Sequence, residues 1–160
     1  MDNVSLREYT KDDFEFLHEL LTDKEVAKTF MFMYSVGRWQ TKLRLESRMV
    51  CNKHGRETCF VIQDDNLNIP VGEIIGSIAS DDPKVMELSV LVHPKHRGKD
   101  YAKKGTYEFM KYVTENNKDI KKFRLEINKA NMASIAIAKQ LNFDLEREKI
   151  KDFDYLERDI

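Results

Sequence analysis

Residues 89–105 read SVLVHPKHRGKDYAKKG. Val90, Leu91 and Val92 close a β-branched, apolar strand that begins near Val85 and stops at Pro94. A helix follows from about Tyr101 to Thr114, with Ala102, Thr106, Phe109, Met110 and Val113 at helical spacing. A strand that feeds a helix through so short a loop brings unpaired backbone N–H groups and the positive end of the helix dipole to one place. Lys95, Arg97, Lys99, Lys103 and Lys104 add cations around it, and Gly98 permits close backbone approach. Together these features read as an anion site suited to phosphate. A solvated basic turn is the other reading of the same residues.

Downstream, FRLEI (123–127) is a strand, followed by NKAN and the apolar helix SIAIAKQL. Asn131 stands at the turn, Ser134 in the first helical turn, and Asn142 where a left-handed residue would close the helix. Upstream, VSLREY alternates as a first strand, and Thr10 precedes KDDFEFLHELL, where Phe14, Leu17, Leu20 and Leu21 share a helical face. Asp23 to about Phe32 reads as a further helical turn or two, carrying Val26, Ala27 and Phe30. A second helix spans about Trp39 to Lys53 with Leu43, Leu45, Met49 and Val50, and Gly55 ends it. ETCFVIQD, IIGSIAS and VMELSVLVHP are three strands in a row, with DDNLNIP as the first turn. The tail after Phe143 alternates enough for one or two more. The order β, α, α, three strands, then α, β, α, β implies an α/β chain of mixed α+β type.

Length and charge bound the rest. The 160 residues suit one domain, 1–160. Lys and Arg total 27 against 28 Asp and Glu, a net charge of −1 that argues against a dedicated nucleic-acid binder. A binder using only the KHRGK loop would lack an aromatic platform beside it. No apolar run is long enough for a membrane span, and the charged start MDNVSLREYTKDD is unlike a signal peptide, so a cytoplasmic protein is expected. Cys51 and Cys59 then stand as free thiols. His18, His54, His93 and His96 show no metal-ligand spacing, so no metal is expected.

The two stretches together resemble the GNAT superfamily of N-acetyltransferases. The family signature Arg/Gln-x-x-Gly-x-Gly/Ala aligns with Arg97, Gly98, Lys99, Asp100, Tyr101 and Ala102. Its later signature, Asn-x-x-Ser before a helix ending Leu-Gly-Phe, aligns with Asn131, Ser134, Leu141, Asn142 and Phe143. The opening LREYTKDDFEFLHELL is similar to the ribosomal-protein-acetyltransferase branch, so the likeness runs from Leu6 to about Phe143. It implies a central mixed sheet with helices on both faces and two splayed central strands. It also implies acetyl-CoA as acyl donor and an amine acceptor, either a small molecule or a protein N-terminus.

Carried onto this chain, the resemblance assigns the pantetheine arm to the main chain of Val90, Leu91 and Val92. The pyrophosphate falls to the amides from Arg97 to Lys103, and a further cofactor contact to Asn131 and Ser134. An amine acceptor arrives protonated, so a base is needed. Glu126 in FRLEI matches the position of the catalytic glutamate in similar protein N-terminal acetyltransferases, and Glu87 lies on the central strand. Either would otherwise be a solvent-facing strand residue or a partner for Arg124.

Two positions depart from the family. Asp100 replaces the first signature glycine, where it could cap the helix or compete with pyrophosphate for the amides. Ala138 replaces the tyrosine that protonates the leaving thiolate in many members. Both keep open an alternative, a non-catalytic GNAT-fold module with weakened cofactor binding that serves regulation or interaction. Phe30, Met31, Phe32, Met33, Tyr34 and Trp39 are core or the wall of an acceptor pocket. The tail looks short for a final hairpin, which would leave an edge strand for a homodimer.

Overall fold

The computed structural model describes residues 3–29, 36–150 and 153–160. In chain order these form β1 (Val4–Arg7), α1 (Phe14–Thr22), α2 (Lys24–Thr29), α3 (Arg38–Val50), β2 (Glu57–Asp64), β3 (Ile69–Ile78) and β4 (Val85–Val92). Then come α4 (Tyr101–Asn116), β5 (Lys122–Asn128), α5 (Met132–Gln140), β6 (Asp144–Ile150) and β7 (Phe153–Asp159). The strands make one mixed sheet in the order β1-β2-β3-β4-β5-β7-β6. Every neighbouring pair is antiparallel except β4 with β5, which α4 joins in parallel.

Strand alternation sends successive side chains to opposite faces, and each face gathers its own core. Phe60, Ile62, Ile74, Met86 and Leu88 pack under Phe109, Met110 and Val113 of α4 and Ala138 of α5. Cys59, Val61 and Leu91 meet Leu17, Leu20 and Leu21 of α1, Val26 of α2 and Leu45 of α3 on the other face. Helices therefore cover both faces, as the resemblance implied. No helix among the described residues is long and apolar enough to cross a membrane.

Four local expectations are corrected. On α3 the stripe of Leu43 and Val50 faces solvent, while Thr41 and Leu45 are buried. A buried carboxylate on β3 explains the rotation. Glu73 accepts from the Tyr9 hydroxyl at 2.7 Å and from Arg48 Nε at 2.9 Å, so α3 turns the face of Thr41, Leu45 and Arg48 inward. The strand β3 begins at Ile69, inside the stretch expected to be all turn; Pro70 fits because its partner Gln63 stands at a break in the β2–β3 register. On α4, Ala102 is half-buried and Gly105 is fully within the buried face. The tail supplies two antiparallel strands, β6 and β7, with β6 at the sheet edge. Of the aromatic and methionine cluster, residues 30–34 lie outside the described residues, and Trp39 is exposed.

Glycines set how closely α4 seats on the sheet. A Cβ at Gly105 would lie 2.5 Å from Ile62 Cδ1. One at Gly76 of β3 would lie 2.6 Å from Met86 Sδ and 2.7 Å from Phe109 Cζ, and the Phe109 ring is fully buried. Gly76→Ala is expected to cost about 1–3 kcal/mol through overpacking, read as a lower urea midpoint with an unchanged slope.

Candidate functional site

Parallel pairing between β4 and β5 runs from Val85↔Lys122 to Leu88↔Leu125 and ends there. Both strands continue, β4 against β3 through Gly72↔Val92 and β5 against β7 through Asn128↔Phe153. Ser89–Val92 and Glu126–Asn128 thus face each other across a gap in the sheet. A cavity of about 870 Å³ opens on this gap and on the start of α4.

Val90, Leu91 and Val92 form the β4 wall of the cavity. Arg97, Gly98 and Asp100 of the loop and Tyr101 and Ala102 of α4 close one end, and Asn131 and Ser134 stand opposite. Lys99 and Lys103 lie beside this wall rather than in it.

The α4 end is built for an anion. The first intrahelical bond there among the described residues runs from the Lys104 N–H to the Asp100 carbonyl, 2.9 Å. Helix geometry leaves the N–H groups of Tyr101, Ala102 and Lys103 without intrahelical acceptors. The Asp100 side chain does not cap them, which corrects that expectation. Its carboxylate instead lies 3.8 Å from Lys103 Nζ, and its backbone adopts the left-handed conformation at φ +61°. A glycine is normal at such a φ, which fits the glycine that the resemblance implies at this position. The Tyr101 ring is buried, and its hydroxyl, bonded to the buried Asp64 carboxylate, ties α4 to the end of β2. That bond holds the Asp64 carboxyl below the usual range and raises the Tyr101 phenol.

Across the gap, Asn131 caps α5 by accepting from the Ser134 N–H at 3.2 Å. Asn142 closes that helix at φ +60°, as its position implied, and the Phe143 N–H returns to the Ala138 carbonyl at 2.9 Å. Ala138 is fully buried and offers the cavity no polar group.

The structure separates the two carboxylates. Glu87 sits within the paired part of the strands, opposite Arg124, and its Oε1 accepts from Arg124 Nη1 at 3.1 Å. Arg124 is itself buried, donating also to Glu157 at 2.6 Å and Asp81 at 2.8 Å, with its guanidinium 4.7 Å above the Tyr155 ring. Burial alone would lower its pKa, but these carboxylates outweigh it and keep the guanidinium charged. Glu126 is the first β5 residue past the last β4 pair, is exposed, and faces Tyr155 across the sheet. Neither Glu87 nor Glu126 lines the cavity, but Asn128 does, two residues beyond Glu126 on the same side of β5.

The Asp23–Lys53 helices and the C-terminal strands are where the resemblance implies that the acceptor binds, but sequence reasoning names no individual cavity residue in them. Glu25 and Val26 line the cavity, with Asn128 and Phe153. Asp23, at the C-terminal end of α1, lies 4.0 Å from Arg97 through Oδ1. In the sequence Asp23 reads only as the start of a short helical stretch, and nothing in the pattern places it beside a loop more than 70 residues away.

Residues 3–144 match the family model described as an acetyltransferase (GNAT) domain. The chain belongs to the GNAT acetyltransferase family. Solved structures with the same fold include the RimL ribosomal L7/L12 alpha-N-protein acetyltransferase in complex with coenzyme A. It has a TM-score of 0.84 and 16% identity, over 100% of this chain and 96% of that one. Spermidine N-acetyltransferase from Vibrio cholerae, in complex with CoA and spermine, matches with a TM-score of 0.84 and 15% identity over 99% and 96%. Aminoglycoside acetyltransferase AAC(6')-Ib in complex with coenzyme A matches at 0.79 and 14% over 98% and 94%.

The residues present fit the GNAT cofactor. Uncapped amides at α4 suit a diphosphate, and a Cβ built on Gly98, at φ +76°, would meet nothing within 4 Å. The unpaired side of Ser89–Val92 offers main-chain groups to an extended amide-bearing arm. The discordant residue is Asp100. Asp100→Gly is expected to gain up to about 1 kcal/mol of stability from the left-handed backbone. It should also tighten acetyl-CoA about three- to tenfold by freeing Lys103 and removing a negative charge. Chemical denaturation and calorimetric titration of the same variant check both.

Proposed function

We propose that this GNAT protein transfers an acetyl group from acetyl-CoA to a primary amine, either a small amine or a protein N-terminus, by direct attack on the thioester. The observation that carries the proposal is the gap after Leu88 and Leu125, which opens beside the uncapped end of α4, with exposed Glu126 as the first β5 residue beyond the paired segment. Acetyl-CoA, when bound, supplies an acetyl group activated as a thioester. The N–H groups of Tyr101, Ala102 and Lys103, with Arg97, hold its diphosphate, and the free edge of Val90–Val92 aligns the arm. Asn131 and Ser134 bound the site from α5.

Glu126 is the base. Its carboxylate accepts a proton from the acceptor ammonium, directly or through one water, and so presents a neutral amine at the gap. A backbone N–H of β4 past Leu88 is the donor available for the developing oxyanion. Glu87 is a weaker candidate because Arg124 already holds its carboxylate. No side chain is assigned as general acid, since Ala138 has none to offer and the leaving thiolate can take its proton from solvent. The reading takes the chain to act in the cytoplasm, which its free Cys51 and Cys59 suit. It requires neither a nucleic acid nor a membrane as partner.

A second reading, a non-catalytic module, draws on Asp100 beside Lys103 and on Ala138. Glu126→Gln separates the two. It is expected to lower kcat by about 10²–10⁴ while leaving the Kd for acetyl-CoA within about twofold. Steady-state assays on an amine panel, paired with titration, measure this; an unchanged kcat removes Glu126 from the mechanism.

A further inference from the structure

The acceptor-side helices and the cofactor loop are joined by charge. Asp23 Oδ1 lies 4.0 Å from Arg97 Nη2 in the cavity wall. The same oxygen accepts from the N–H of Glu25 at 2.9 Å and of Val26 at 3.0 Å, which caps α2. Glu25 and Val26 line the same cavity. One carboxylate oxygen therefore serves the loop's arginine and the helix that carries part of the cavity wall. A second tether runs parallel to it, because Glu19 Oε2 of α1 lies 3.0 Å from His93 Nε2 and 3.6 Å from Lys95 Nζ. His93 Nδ1 accepts the Lys95 N–H at 3.3 Å, so its Nε2 carries the proton toward Glu19. This second tether lies at the base of the loop, outside the cavity wall.

Resting on the proposed function, we infer that Asp23 is a positioning residue, the built-in counter-anion of Arg97 that the cofactor diphosphate displaces. Without cofactor, Asp23 neutralises Arg97 and holds the start of α2 against the loop. A diphosphate at the α4 amides offers Arg97 more negative charge than one carboxylate does, so the guanidinium transfers to it. The cap on α2 survives the exchange, but its link to the loop does not. The start of α2, which carries Glu25 at the cavity wall, then loses its tie to the loop, while Val26 stays in the core. Glu19, His93 and Lys95 keep the base of the loop fixed while this happens. Cofactor binding thus carries the cost of breaking one ion pair and reports its arrival to the acceptor wall.

Asp23→Asn tests this cleanly, because Asn caps a helix as well as Asp and only the charge is lost. Calorimetric titration with acetyl-CoA should show tighter binding by about three- to tenfold. Amide hydrogen exchange over residues 24–29 of the unliganded variant should rise to the level the wild type reaches only with acetyl-CoA bound. Arg97→Gln should weaken binding by more than about tenfold, and adding Asp23→Asn to it should then change nothing further. Unchanged or weaker binding by Asp23→Asn, or an equal gain in the Arg97→Gln background, overturns the inference while leaving the acetyltransferase reading intact. Failure of the wild type to bind acetyl-CoA at all overturns both.

Discussion

The fold depends on where one pair of strands stops pairing. The rungs between β4 and β5 end at Leu88↔Leu125, and everything that makes a site follows from the gap beyond. The paired half is fastened by Arg124, whose guanidinium joins Glu87 of β4, Glu157 of β7 and Asp81 of the β3–β4 turn, and rests on Tyr155. A buried guanidinium needs acceptors for its N–H groups, and removing Glu157 would leave a buried donor unsatisfied. The clamp therefore fixes the point at which the strands can part. Beyond it, β4 is held by β3 and β5 by β7, so the gap is a consequence of register and not of missing sequence.

Charge distribution sets the second level of organisation. A chain of net charge −1 places cations around the α4 end and then meets several of them with its own carboxylates. Arg97 has Asp23, Lys95 has Glu19, and Lys103 has Asp100. These partly exposed pairs are individually weak and contribute little to holding the fold. The buried pairs, Arg48 with Glu73 and Arg124 with Glu157, do the opposite, orienting α3 and pinning the sheet.

Much of this was legible in the sequence because local chemistry and global position agree. The β4 strand, the α4 start and the Asn142 cap are written in short-range patterns, and of the signature residues Arg97, Gly98, Asp100, Tyr101, Ala102, Asn131 and Ser134 fall on the cavity wall. What could not be read depends on distant partners. The turn of α3 follows from Glu73, a carboxylate whose burial no local pattern reveals. The position of Glu87 opposite Arg124 follows from register, and the presence of Asp23 beside the loop before α4 follows from how α1 packs with Leu91 on one face of the sheet. Asp100 looked like a helix cap because Asp is a good one, but a left-handed backbone carries its side chain away from the amides.

The central claim is that the gap and the uncapped α4 end form one acetyl-CoA site. Calorimetric titration of the wild-type chain with acetyl-CoA, alongside 3',5'-ADP as a probe lacking the arm, tests it most directly. The account predicts saturable one-to-one binding of acetyl-CoA in the micromolar range, and much weaker binding of the nucleotide that cannot reach the gap. No heat of binding up to millimolar acetyl-CoA, or equal affinity for both probes, would contradict it.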